Sequence, residues 1–143
     1  MAWTCPACDR TFGRTRQSHT CVPVVSLDDW FADRPPAWRE VCDAVLDHLT
    51  TLGEVDAEAA EVGILFKAPR TFAELRPHRR RDLRLSVILD HDVDSPRISR
   101  RIRPGQYKGF DRYCLYAVLE GADDVDDEVR GWLTESWSLY APP

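Results

Sequence analysis

The chain has 143 residues, 43% of them hydrophobic and 30% charged, with a formal net charge of −5; that is enough for one core of about 120 residues beside a small appendage. Its overall acidity excludes a protein that coats nucleic acid through bulk charge. No apolar run approaches the ~20 residues needed to cross a bilayer, no low-complexity tract or internal repeat divides the sequence, and a soluble cytoplasmic protein is expected, its oligomeric state left open.

The chain begins with a cluster of metal-ligand side chains, Cys5, Cys8, His19 and Cys21, spaced C-x2-C-x10-H-x-C. A tetrahedral zinc ion needs two ligands from one tight turn and two from another stretch, at roughly 2.3 Å to sulfur and roughly 2.0 Å to nitrogen. Cys5-Pro6-Ala7-Cys8 supplies the first pair, and His19 with Cys21, two apart on extended chain, supplies the second on one face. Four protein ligands leave no open position, which makes the expected Zn2+ structural. The segment has too few apolar side chains to order itself without metal. Trp3 and Phe12 are expected to cover the knuckle, and Asp9 stands where a left-handed residue is often needed. A redox C-x-x-C would expect a preceding βαβ context, and an extracellular disulfide framework would expect a targeting stretch. Residues 1–22 thus read as a zinc-binding knuckle and residues 23–143 as an α+β domain.

After Cys21, Ser26 with Asp29 forms a capping-box-like start, and Val25 with Trp30 has the spacing of a hydrophobic staple. A short helix from Leu27 to Asp33 is predicted, stopped by Pro35-Pro36, with Leu27, Trp30 and Phe31 clamping the knuckle to the body. A longer helix from Pro36 to Thr51 follows, carrying Trp38, Val41, Cys42, Val45, Leu46 and Leu49 at helical spacing. His48 reads as a lone surface histidine. Beyond Gly53 the period changes to two. Strands are predicted over Glu54 to Ala57, Gly63 to Lys67, Thr71 to Arg76, Leu83 to Leu89 and Arg112 to Leu119, the last apolar on both faces and central. Their short connections argue antiparallel pairing. The acidic run Asp123 to Glu128 reads as cap and first turn of a closing helix whose inward stripe is Val125, Val129, Trp132, Leu133, Ser136 and Tyr140. Cys42 and Cys114 fall on apolar faces and read as inert thiols.

The order W-x-C-P-x-C-x-R-x-F (Trp3 to Phe12), Q-S-H-x-C (Gln17 to Cys21), I-L-F-K (Ile64 to Lys67), T-F-A-E-L-R-P (Thr71 to Pro77) and D-V-D-D-E-V-R-G-W-L-T-E-S-W (Asp124 to Trp137) resembles the bacterial domain of unknown function 5655 family. The resemblance implies a small α+β domain with an antiparallel sheet, often preceded by such a knuckle and sometimes attached to nuclease or restriction-type proteins. It implies no activity and no catalytic residue.

Charge is divided along the chain. Arg76 to Arg112 holds 11 Lys and Arg against 5 Asp and Glu, within a protein whose net charge is −5. The basic residues gather as Arg79, Arg80 and Arg81 with Arg76, His78 and Arg84, and again as Arg97, Arg100, Arg101, Arg103 and Lys108. Both groups lie in or near turns between strands, where guanidinium forks can face phosphate or carboxylate. Tyr107 and Phe110 add rings, as on single-strand binding surfaces. The sequence lacks G-x-S-x-G, a phosphate-cradling glycine loop, H-E-x-x-H and a spaced D and E-x-K nuclease core. The expected function is therefore non-catalytic binding of an anionic partner, nucleic acid first, through the basic loops. One alternative is a protein-interaction adaptor docking through the knuckle with Trp3 and Phe12. Another is an enzyme on a small acid held by Lys67, Arg70 and the arginine loop.

Overall fold

The computed structural model describes residues 2–17, 25–107 and 109–142. The knuckle is a minimal hairpin, β1 (Trp3–Thr4) paired antiparallel with β2 (Thr11–Phe12). Helix α1 (Leu27–Phe31) starts at Ser26, whose side chain accepts from the Asp29 N–H, the predicted cap. Val25 is 39% exposed and makes an isolated antiparallel bridge to Ala59. Helix α2 (Pro36–Leu49) opens on proline at its first position, where the missing N–H costs nothing, and ends two residues before the expected boundary.

Six strands then build one antiparallel sheet: β3 (Asp56–Ala60), β4 (Gly63–Lys67), β5 (Thr71–Pro77), β6 (Leu83–Leu89), β7 (Ile98–Tyr107) and β8 (Phe110–Leu119), in the order β3-β4-β5-β6-β8-β7. The β3–β4 connection depends on Gly63, whose φ is +152° and where a β-carbon would meet the Leu75 carbonyl oxygen at 2.1 Å. A 3-10 turn (Ala122–Asp124) leads to α3 (Asp127–Tyr140), capped by the Asp126 side chain accepting from the Val129 N–H.

The helices cover one face of the sheet. Leu83, Leu85, Val87 and Leu89 of β6 alternate into the core, and register places Ala73 and Leu75 of β5 and Leu115, Ala117 and Leu119 of β8 beside them. Helix α3 lies on β5 and β6, and α2 packs against α3 and the 3-10 turn. All six residues predicted for the inward side of the closing helix and its lead-in are buried. Trp30 and Phe31 also enter this core, and the Trp30 indole N–H donates to the Ala60 carbonyl at 3.0 Å. His48 is not a lone surface group: its Nε2 lies 2.8 Å from Thr134 Oγ1, joining α2 to α3.

The largest departure is β7. No strand is predicted between Leu89 and Arg112, where the second basic group lies in or near a turn, yet Ile98–Tyr107 is a ten-residue edge strand on β8, which is thus penultimate and flanked by β6 and β7. Arginines in place of β-branched residues, together with register shifts at Ile98/Arg100 and Ile102/Gly105, remove the alternation by which a strand is recognised. The sheet's first strand is likewise shifted, to Asp56–Ala60 from the expected Glu54 to Ala57.

Candidate nucleic-acid interface and metal knuckle

Cys5 and Cys8 lie on one tight turn. The Cys5 N–H donates to the Arg10 carbonyl and the Asp9 N–H to the Cys5 carbonyl, both at 2.8 Å. Asp9 takes the left-handed conformation expected of it, with φ +59°. Both cysteines are buried, and with Phe12 and the packed Trp3 ring they form a small cluster separate from the main core. Two cysteines so disposed supply half of a tetrahedral donor set. His19 and Cys21, the other two expected ligands, lie outside the described residues; among the described residues no group of three or more His, Cys, Asp or Glu could hold a metal.

A polar latch ties the knuckle to the sheet. Lys67 is 4% exposed, and its Nζ donates to the Thr11 carbonyl at 2.9 Å and to Glu58 Oε2 at 3.0 Å, while lying 4.8 Å from the centre of the Phe12 ring. Arg10 Nε donates to the other Glu58 oxygen at 2.6 Å. The ammonium of Lys67, named from sequence as an anion ligand, thus faces a carboxylate of its own chain. Arg70 packs so close to Gly13 that a β-carbon there would meet its Cγ at 2.5 Å. Lys67 and Arg70 both line a cleft of about 1240 Å³ between knuckle and C-terminus, with Thr11, Asp56 and Tyr140.

The remaining basic residues sort into two sets. Arg97 bonds Asp126 and Glu128, Arg101 bonds Asp92 at 2.9 Å and Arg103 bonds Asp111 at 2.9 Å. Arg79, Arg80, Arg81, Arg84 and Arg100 form no ion pair among the described residues. Lys108 lies outside them. The three consecutive arginines occupy the β5–β6 turn, which Asp82 shapes by accepting from the Arg79 N–H at 3.0 Å and lying 3.0 Å from His78 Nδ1. All three are exposed.

Arg84 and Arg100 meet on the sheet face turned away from the helices. On β6 the residues between the core leucines are Arg84, Ser86 and Ile88; register sets Ser86 beside Tyr116 and Ile88 beside Cys114 on β8, and Arg100 beside Tyr116 on β7. The Arg84 guanidinium lies 4.7 Å and that of Arg100 5.8 Å from the Tyr116 ring centre. A cavity of about 260 Å³ opens here, lined by Glu74, Arg76, Arg84, Ser86, Cys114 and Tyr116 among others. Arg76 pairs with Glu74 at 2.8 Å and is the register partner of Arg84, at the end of the sheet where the Arg79 to Arg81 turn begins. The knuckle bounds this face on its other side, since Thr11, Phe12 and Gly13 share a smaller cavity with Ile88 and Arg112.

Burial pushes the Cys42 thiol up to about 12, and burial also raises that of Cys114. The sequence sets Arg84 in the predicted strand Leu83 to Leu89 and Arg100 in a separate basic group near a turn, and gives Tyr116 only a strand position. The alternation of β6 and β8 already put Arg84 and Tyr116 on the non-core face, but without β7 nothing brought Arg100 to them.

The fold and its basic face define a small α+β sheet domain with one face covered by helices and the other partly open. The model of the family described as Domain of unknown function (DUF5655) matches residues 27–140, and the chain belongs to that family. No curated protein and no solved structure matches the chain.

Proposed function

We propose that this protein is a non-catalytic, zinc-stabilised binding module that engages a polyanion, nucleic acid first, on the open sheet face and the adjoining Arg79 to Arg81 turn. The observation that carries this reading is the pair Arg84 and Arg100, which flank Tyr116 with no carboxylate partner among the described residues. Guanidinium groups without internal counterions keep their forks for phosphate. Arg101 and Arg103, spent on Asp92 and Asp111, contribute less. Zinc would be held by Cys5 and Cys8 with His19 and Cys21, and its part is to order the knuckle. Phe12 is 8% exposed and packed within the knuckle, which disfavours it as a docking surface for another protein.

Fluorescence anisotropy of the zinc-loaded protein against labelled oligonucleotides over a range of salt tests this. The affinity should fall log-linearly with salt, with a slope reporting a few phosphate contacts. The double variant R84E/R100E should lose most of the binding while keeping the melting temperature, and R101E should lose much less. Equal loss from both variants, or no binding at low salt, would remove the open face from consideration.

A further inference from the structure

We infer that the ligand of the open face is a single-stranded nucleic acid, one base of which lies in the cavity against Tyr116. This rests on the polyanion reading above and narrows it. Three observations carry the narrowing.

The first is shape. A protein reads duplex DNA by placing a projecting helix or ribbon in the major groove. Here Arg84 and Tyr116 stand on strands and line a concavity of about 260 Å³, with Arg100 on the neighbouring strand beside Tyr116. The bases of a duplex are stacked inward and cannot enter such a hollow. An unstacked base of a single strand can.

The second is the ring. Tyr116 is half-buried in the wall of that cavity, so its position is fixed by the sheet, while its register partners Ser86 and Arg100 stand on either side. A fixed aromatic ring on a strand is a stacking platform that needs no particular base, because every base has a π-face.

The third is charge placement. The guanidinium groups over Tyr116 lie within 6 Å of its centre, from two different strands. A base against the ring therefore brings its flanking phosphates to Arg84 on one side and Arg100 on the other. The Arg79 to Arg81 turn continues the basic track beyond Arg84, along the end of the sheet.

The test uses the full-length, zinc-loaded protein and three labelled probes of equal length: a single-stranded oligonucleotide, its duplex, and an abasic phosphodiester strand of the same charge. At one low salt concentration the single strand should bind about tenfold or more tightly than the abasic strand, the range expected for one stacked base. Y116L should lower single-strand affinity by a similar factor and leave abasic-strand affinity unchanged, while Y116F, which keeps ring and packing, should bind as the unmodified protein does. Equal affinity for the base-containing and abasic strands, or tighter binding of the duplex, overturns the stacked single strand while leaving a basic polyanion surface. Failure of all three probes to bind overturns the polyanion reading itself.

Discussion

The Ser136 hydroxyl donates to the Phe72 carbonyl at 2.7 Å and accepts from the Ile88 N–H at 3.1 Å. Phe72 and Ile88 stand one step beyond Ala73 and Val87, the last pair of the β5–β6 ladder, so a helix side chain takes over where the two strands part. Ser136 is fully buried. Replacing it by Ala strands two backbone groups together, and S136A should lower stability by about 1–3 kcal/mol in chemical denaturation. An unchanged midpoint would show that the two groups find another partner.

The latch at Lys67 predicts a larger loss. Glu58 holds both Lys67 and Arg10, and both ion pairs are largely out of water. Removing the carboxylate leaves a buried ammonium without its counter-charge, so E58A should cost about 3 kcal/mol or more and disturb the knuckle first. Hydrogen exchange of residues 2–17 in E58A would show this directly; a change spread evenly over the sheet would contradict it.

The knuckle and the sheet have separate apolar clusters, so loss of metal should be a local event. Metal analysis of the unmodified protein is expected to give one zinc per chain, and C5S or C8S to abolish it while the sheet keeps its circular dichroism. Absence of zinc from the unmodified protein would refute the metal assignment.

Cys42, with its thiol pushed up to about 12 by burial and with no exposed surface, should resist alkylation in the native protein at mildly alkaline pH. C42A should cost about 1 kcal/mol or more through lost packing, and leave oligonucleotide binding unchanged. Rapid modification of Cys42 under native conditions would show that the α2 face opens far more readily than its burial implies.

Acid should weaken the start of α3. The Val129 N–H foremost, and then Arg97, hold the Asp126 carboxyl below its ordinary value of 3.8. A depressed carboxyl contributes stability that is complete above its unfolded pKa and is lost as pH falls through its folded one. The melting temperature of the unmodified protein should therefore decline below about pH 4 more steeply than that of D126N, which keeps a capping oxygen and loses the charge. Parallel curves for the two proteins would remove Asp126 from the acid response.

Periodicity made the covered side of the molecule legible. Strands Gly63–Lys67 and Leu83–Leu89 have the bounds read from the sequence, and the stripe of α3 faces inward as expected, because each element buries one face and its pattern records which. The edge strand was hidden for the opposite reason: Arg100, Arg101 and Arg103 face water or acidic partners, and burial wrote no alternation there. The Cys5 and Cys8 turn was legible from spacing, whereas the attachment of the knuckle was not. Lys67 and Glu58, far along the chain, hold it through hydrogen bonds to the Thr11 carbonyl and from Arg10. Polar contacts between distant segments leave no periodic trace.

Strand β7 also bears on how copies of this protein meet one another. A sheet edge is a template for further strands, and proteins that expose one risk joining end to end. Here the outermost strand interrupts its own register twice and carries arginines at Arg100, Arg101 and Arg103. An incoming strand would have to strip water from that cationic row and follow a bent backbone. The same residues that set one arginine beside Tyr116 therefore make this border of the sheet a poor template for a further strand.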